Sequence, residues 1–183
     1  MTVLDASAHV FTIPDVLTPK ECQALIRASE TLGYAEAPIT TALGPVMAPG
    51  VRNNTRVMVD DPKRAAALYE RVCRALPLEL EGWRCVGLNE RLRFYRYTEG
   101  QQFRWHFDGS YHRHEDERSM LSLLIYLNEG CLGGETEFAS GISVEPQTGM
   151  ALAFVHHVEH RGAPVFDGTK YVLRTDVLYA RPS

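Results

Sequence analysis

The sequence predicts an α+β, mainly β fold in which two N-terminal helices support a sandwich or barrel of six or more strands. Three observations lead there. Two segments carrying helix-capping signals lie before Pro77. From Leu88 onward, short runs of strand-forming residues are separated by Gly, Asn and Pro turns. The chain of 183 residues, 45% hydrophobic and 23% charged, has the composition of one globular domain with a substantial core.

The elements follow in order. Val10 to Ile13 reads as a first short strand. Thr18-Pro19-Lys20-Glu21 is a capping box with proline at the first helical position, Cys22, Leu25, Ile26 and Ser29 follow at helical spacing, and Gly33 stops the helix at about Leu32. Residues 38–50, with three prolines and two glycines, are expected to form a mobile loop. Arg52 to Val59 reads as a strand. Asp61-Pro62 caps a second helix whose buried stripe is Ala65, Leu68, Val72 and Leu76, with Pro77 just past its end. The later strands are expected at Arg91–Thr98, Gln102–Phe107, Ser119–Leu127, Glu135–Phe138, Met150–Val155 and Lys170–Tyr179.

Charge and composition exclude several functions. A net charge of −4 without a run of Lys or Arg gives no electrostatic basis for nucleic-acid binding. No apolar stretch approaches a membrane span, and MTVLDASAHV lacks the layout of a signal peptide. Cys22, Cys73, Cys85 and Cys131 form no CxxC pair and are expected to be free thiols of a cytoplasmic protein. The sequence leaves the oligomeric state open.

The chemistry concentrates in His106-Phe107-Asp108. On an extended strand, side chains two apart face the same way, so His106 and Asp108 can both enter one cavity. A second imidazole from a distant strand would complete two histidines and a carboxylate on one side of a metal, the donor set of non-haem Fe(II) oxygenases. His156, His157 and His160 compete for that place. His160 is preferred because Arg161-Gly162-Ala163-Pro164-Val165 follows it and turns the chain toward the last strand. His112 and His114, in a polar stretch, read as solvated loop residues.

Several further motifs agree in order and spacing: LTPKECQALI, YTEGQQFRWHFD, SLLIYLN, GGETEF and HRGAPVFDGTKYVLRTDVLY. From about Thr12 to Tyr179 the chain resembles the prolyl 4-hydroxylase-like Fe(II)/2-oxoglutarate-dependent oxygenases. The resemblance implies a double-stranded β-helix, or jelly roll, as the core. It would give a single domain over 1–183, with N-terminal helices and a lid loop to about residue 87 and the jelly roll over about 88–181. It also implies iron held by His106, Asp108 and His160, with 2-oxoglutarate and O2 as cosubstrates and ascorbate as a reductant.

The distal carboxylate of 2-oxoglutarate needs a buried cation, because an unpaired charge inside a barrel is costly. Lys170, ten residues after His160, stands where the resembled hydroxylases carry their basic anchor. Arg174 is the alternative: on a regular last strand Lys170, Val172 and Arg174 share a face, and an arginine can bind a carboxylate bidentately. Lys170 is preferred, with Arg174 beside it. The resemblance also places Tyr97 at the chelating end of the cosubstrate, and Tyr126 and Thr136 beside its distal carboxylate. Gly133-Gly134 reads as a tight turn or bulge.

For the substrate the sequence offers less. The segment from Thr40 through Arg56 falls where the resembled enzymes have a mobile segment over the active-site mouth, and Asn54 and Arg56 on one strand face are candidate contacts. Arg104, two residues before His106, is expected to face the cavity, with Trp105 and Phe107 outward. Arginines near the mouth hint at an acidic group on a small-molecule, peptide or protein substrate. The expected activity is hydroxylation of an aliphatic C–H in an amino-acid residue, a free amino acid or a small metabolite, coupled to conversion of 2-oxoglutarate to succinate. A non-catalytic jelly roll that binds metal or ligand is the alternative. A metal hydrolase is a third reading, but it leaves Lys170 without a role.

Overall fold

A computed structural model describes residues 1–5, 9–41 and 44–182, with the backbone alone for 40 and 41. The first helix spans Pro19–Leu32, and its cap is the expected box: the Thr18 side chain accepts from the Glu21 N–H, while the Glu21 carboxylate accepts from the Thr18 N–H at 2.8 Å. The second helix, Pro62–Val72, is capped by Asp61 and ends four residues before the expected Leu76. Beyond Val72 the chain tightens, with the Ala75 N–H bonding the Val72 carbonyl at 2.9 Å, and Leu76 joins the core from a turn.

An eleven-stranded sheet, antiparallel throughout, forms the main layer. Its spatial order runs Thr2–Asp5, Val10–Ile13, Ala151–Val155, Glu117–Tyr126, Lys170–Ala180, Arg91–Tyr97, Thr55–Asp60 and Ala35–Glu36. Trp83–Leu88 pairs with the far half of Lys170–Ala180. A second sheet of four short strands, Phe103–His106, His160–Gly162, Thr136–Phe138 and Ser143–Val144, completes the jelly roll. Strands from both halves of the chain thus share the main sheet. His112–His114, expected as loop, is a short exposed strand paired to Glu117–Tyr126. The 38–50 segment, expected to be irregular, pairs Ile39–Thr41 with Gly44–Val46; Ala42 and Leu43 lie outside the described residues.

Two-residue alternation divides the interior into two compartments. Leu121, Leu123 and Ile125 of one central strand and Leu173, Val177 and Tyr179 of the next join the helix residues Leu25 and Leu68 in one cluster. The intervening positions, including Tyr95, Tyr97, Tyr126, Leu152, Phe154 and Val172, face the second sheet and form another. The main sheet is therefore buried on both faces, and the polar residues of its second face have only the jelly-roll interior to enter. Among the described residues, no helix is long and apolar enough to cross a membrane.

Gly149 ties the N-terminal segment to this interior. Its carbonyl accepts the N–H groups of Val16 and Leu17 at 2.9 and 3.2 Å, and its own N–H bonds the Tyr126 carbonyl at 2.8 Å. At φ 81° a Cβ there would lie 1.9 Å from the Leu17 carbonyl oxygen. Gly149→Ala is expected to cost about 2–3 kcal/mol or more, read as a lowered midpoint in urea unfolding.

Candidate active site

Three segments deliver the expected metal ligands to one point. His106 ends the strand Phe103–His106, His160 opens the strand His160–Gly162, and the two are paired across the second sheet. Asp108 lies just beyond its strand, contrary to a regular extension through 106–108, and its N–H is held by the His156 carbonyl at 3.1 Å. One donor atom from each of His106, Asp108 and His160 lies within 4.8 Å of the others. The Nε2 atoms of His106 and His160 are each 3.6 Å from an oxygen of Asp108.

Backbone carbonyls select the imidazole tautomers. Nδ1 of His106 lies 2.7 Å from the Arg104 carbonyl, and Nδ1 of His160 lies 3.0 Å from that of Val158. A carbonyl only accepts, so each Nδ1 carries the hydrogen and each Nε2 lone pair faces the cavity, as metal ligation requires. Burial holds His160 neutral, lowering it to about 4 against the opposing pull of Asp108. Burial alone would raise Asp108, but the Arg174 guanidinium outweighs it and holds the carboxyl well below its usual range. The set therefore has the charge state suited to a divalent cation, with open positions opposite the three ligands.

The surrounding cavity holds about 410 Å³ of space including its open mouth. Lys170, Val172 and Arg174 all line it, as the shared strand face predicted, together with Tyr97 and Thr136. The two cations differ in their partners. Arg174 reaches Asp108 at 3.1 Å and Asp176 at 3.3 Å. Lys170, 3% exposed, forms no ion pair among the described residues, and Glu135 attracts it only from longer range. Its ammonium donates to the Gly134 carbonyl and lies 5.3 and 5.5 Å from the ring centroids of Tyr97 and Tyr126. Burial lowers Lys170 to about 8. Gly134, at φ 77°, allows this approach, since a Cβ there would press on the lysine stem at 3.2 Å. Tyr126 is fully buried behind the lining and donates to the Thr136 hydroxyl at 2.8 Å, leaving the Thr136 hydrogen free to point into the cavity.

The substrate candidates fare differently. Arg104 is exposed and does not line the cavity, because a register shift between Phe103 and His106 breaks the alternation. Phe103 takes that side instead and stacks on His106 at 3.5 Å between ring centroids. Trp105 and Phe107 are exposed, as expected. Asn54 is fully buried and accepts from Arg52 Nε at 2.7 Å, so it meets the interior rather than the mouth. Arg56 stands opposite Tyr95 in the main sheet, partly buried. The 51–54 end of the expected lid is pinned to the strand of His106: Arg104 N–H bonds the Val51 carbonyl at 2.9 Å, and Gln102 N–H bonds Asn53 Oδ1 at 2.7 Å.

Four residues at the site escaped the sequence reading. Ser122 donates to Asp108 and meets His156 Nδ1 at 3.1 Å, while Ser119 meets His156 Nε2 at 2.8 Å. His156, weighed as a ligand, instead supports Asp108 from behind. Tyr95 lines the cavity, and Arg52 packs against it at 4.5 Å. Ser122 had a usable signal, since it shares a strand face with Leu124 and Tyr126.

A jelly roll that presents two imidazoles and a carboxylate to one open-sided cavity is the framework of a non-haem iron oxygenase. Residues 92–175, which contain the whole ligand set and both cations, match the 2OG-Fe(II) oxygenase superfamily. Solved structures of similar fold include a viral collagen prolyl hydroxylase from Paramecium Bursaria Chlorella virus-1 in complex with 2OG, with TM-score 0.68 and 18% identity over 94% of this chain and 96% of that one. A Pseudomonas putida prolyl-4-hydroxylase gives 0.65 and 23% over 97% and 95%. A Trichoplax adhaerens prolyl hydroxylase in complex with a peptide fragment of the hypoxia inducible factor oxygen degradation domain gives 0.68 and 15% over 92% and 82%. No curated protein sequence matches the chain. Over residues 92–175 the chain is thus similar to the 2OG-Fe(II) oxygenase superfamily, and over nearly its whole length its fold is that of these solved prolyl hydroxylases. It is a 2-oxoglutarate-dependent dioxygenase that uses Fe(II), 2-oxoglutarate and O2.

The neutral histidines make the metal-free protein acid-sensitive. Burial lowers both His156 and His160 from 6.5 to about 4. Below pH 6.5 the unfolded chain takes up protons that the folded chain refuses, so stability falls as pH drops from 6.5 toward 4. Asp108, held low, acts in the same direction at still lower pH. The loss at the acid limit is up to about 3 kcal/mol per histidine. Thermal melts of the metal-free protein across that range are expected to show a steadily falling midpoint, and His156→Gln should flatten the slope.

Proposed function

We propose that this enzyme hydroxylates an aliphatic C–H of an amino-acid residue, a free amino acid or a small metabolite, with His106, Asp108 and His160 as the iron ligands. The observation that carries this reading is the buried Lys170 ammonium in the same cavity as the ligand set, without an ion-pair partner among the described residues. An unpaired buried cation is costly, and the distal carboxylate of 2-oxoglutarate supplies the missing charge. A jelly roll that bound metal alone would leave that cation without a role, and one that bound a carboxylate ligand without turnover would release no succinate.

When bound, Fe(II) with 2-oxoglutarate supplies the oxidising equivalent from O2, and succinate and carbon dioxide are the coproducts. The chain's own residues do the placing. His106 and His160 offer Nε2 lone pairs fixed by their Nδ1–carbonyl bonds. Arg174 and Ser122 restrain the Asp108 carboxylate. Lys170 takes the distal carboxylate, Thr136 donates its free hydrogen to it, Tyr126 orients Thr136, and Tyr97 bounds the chelating end. Phe103, Leu124 and Val172 give the cavity apolar walls that exclude water. Residues 1–183 act as one catalytic domain, and the free thiols Cys22, Cys73, Cys85 and Cys131 fit a cytoplasmic setting.

Under anaerobic conditions, Fe(II) plus 2-oxoglutarate should give a visible charge-transfer band; its absence from metal-loaded protein would overturn the assignment. Lys170→Ala is expected to weaken 2-oxoglutarate binding about a hundredfold, and Arg174→Ala far less, as titrated through that band. The reverse order would move the anchor to Arg174. Because burial lowers Lys170 to about 8, its proton must be present for the carboxylate to pair. Cosubstrate affinity should be level below that pH and fall about tenfold per unit above it. Lys170→Arg should remove the decline.

A further inference from the structure

Arg52 is a buried guanidinium whose charge nothing in the described structure balances. It is 4% exposed and forms no ion pair among the described residues. Its guanidinium lies 4.5 Å from the ring centroids of both Tyr95 and Phe103, and both rings line the iron cavity. Nε is committed to Asn54 Oδ1 at 2.7 Å, while Nη2 is buried without a hydrogen-bond partner. Asn54 is itself fixed, its amide donating to the Thr55 carbonyl at 3.0 Å. Two aromatic faces, one amide and a hydrogen bond to the Tyr95 hydroxyl thus hold the fork in place, with Nη2 left as an unsatisfied donor.

Neighbouring charges make the imbalance larger. Across the sheet, Arg93 pairs with Arg174, and Arg56 stands opposite Tyr95. Arg93 and Arg174 both bond Asp176, and Arg174 also bonds Asp108. Arg56 forms no ion pair among the described residues. With Fe(II) and 2-oxoglutarate bound, the metal, Asp108, the cosubstrate and Lys170 are together neutral. Asp176 then offers one negative charge to Arg93 and Arg174 jointly, and Arg52 and Arg56 have none. The holoenzyme therefore keeps an uncompensated positive cluster of which Arg174 lines the cavity and Arg52 lies against the Tyr95 and Phe103 rings of its wall.

We propose that Arg52 is the substrate-recognition residue and that it takes a carboxylate, so that the compound hydroxylated is an acid whose carboxylate lies near the oxidised C–H. This rests on the Fe(II)/2-oxoglutarate reading of the cavity. A carboxylate satisfies Nη2 and neutralises Arg52 in a water-poor setting, where such a pair discriminates strongly against a neutral analogue. Arg56 adds attraction at longer range. The carboxylate can come from a free acid or from an acidic residue within a chain, and the two are separable by experiment.

The test is anaerobic equilibrium dialysis of protein loaded with Fe(II) and saturating 2-oxoglutarate, with the charge-transfer band monitored to confirm loading. Labelled N-acetylglycine represents a free acid and N-acetylaspartate N-methylamide, its main-chain carboxyl blocked, an acidic chain residue; the neutral amide of each is the control. At least one acid should bind, with its amide about tenfold weaker or worse, and Arg52→Gln should cost that acid about tenfold while Arg52→Lys retains part of the binding. The better-bound acid identifies the source of the carboxylate. Equal binding of acid and amide, binding of neither acid, or full retention in Arg52→Gln would overturn the proposal while the oxygenase reading stood. A missing charge-transfer band in the wild-type protein would overturn both.

Discussion

The Asp108 carboxylate lies inside the jelly roll, 3.1 Å from the Arg174 guanidinium and 3.6 Å from each of the imidazoles of His106 and His160. Burying an ion there is costly unless every lone pair is engaged, and the surrounding structure is arranged to engage them. Ser122 donates to one oxygen, the His156 carbonyl fixes the backbone, and His156 is itself held between Ser119 and Ser122. These supports come from strands far apart in sequence. The buried carboxylate is aimed, and kept ionised despite its burial, by contacts that exist only when the whole sheet is assembled.

The same constraint separates the roles of the cations. Arg174 is drawn toward Asp108 and Asp176, which leaves Lys170 as the buried charge facing the cavity without an anion of its own. A lysine suits that place because its flexible stem lies along Gly134 and its head rests near the Tyr97 and Tyr126 rings. The site therefore divides a dicationic wall into one group paired with Asp108 and Asp176 and one, Lys170, that in the proposed reading receives the cosubstrate. Arg52, held by aromatic faces with a donor unused, extends this division toward the substrate.

Much of the framework was legible from local physics. The Thr18–Glu21 capping box and the Asp61-Pro62 start are reciprocal hydrogen-bond patterns within four residues, which any fold preserves. The shared face of Lys170, Val172 and Arg174 follows from strand periodicity. Where periodicity fails, so did the reading. The register shift between Phe103 and His106 turned Arg104 outward and brought Phe103 against the ligand. The second helix ends at Val72 and passes into a turn in which the Ala75 and Leu76 N–H groups share the Val72 carbonyl, a detail that propensity does not record.

The sequence by itself determined the ligand types, the order of the motifs and the alternation that sends apolar residues to the helices and polar ones inward, because each is a property of neighbouring residues. Tertiary structure decided which histidine stands beside His106 and Asp108 and which lies behind Asp108. It also decided which cation is left without a partner, and that an arginine preceding an ordinary-looking strand is buried against the cavity wall. Burial and pairing are properties of residues brought together from distant strands, and chain order does not encode those distances.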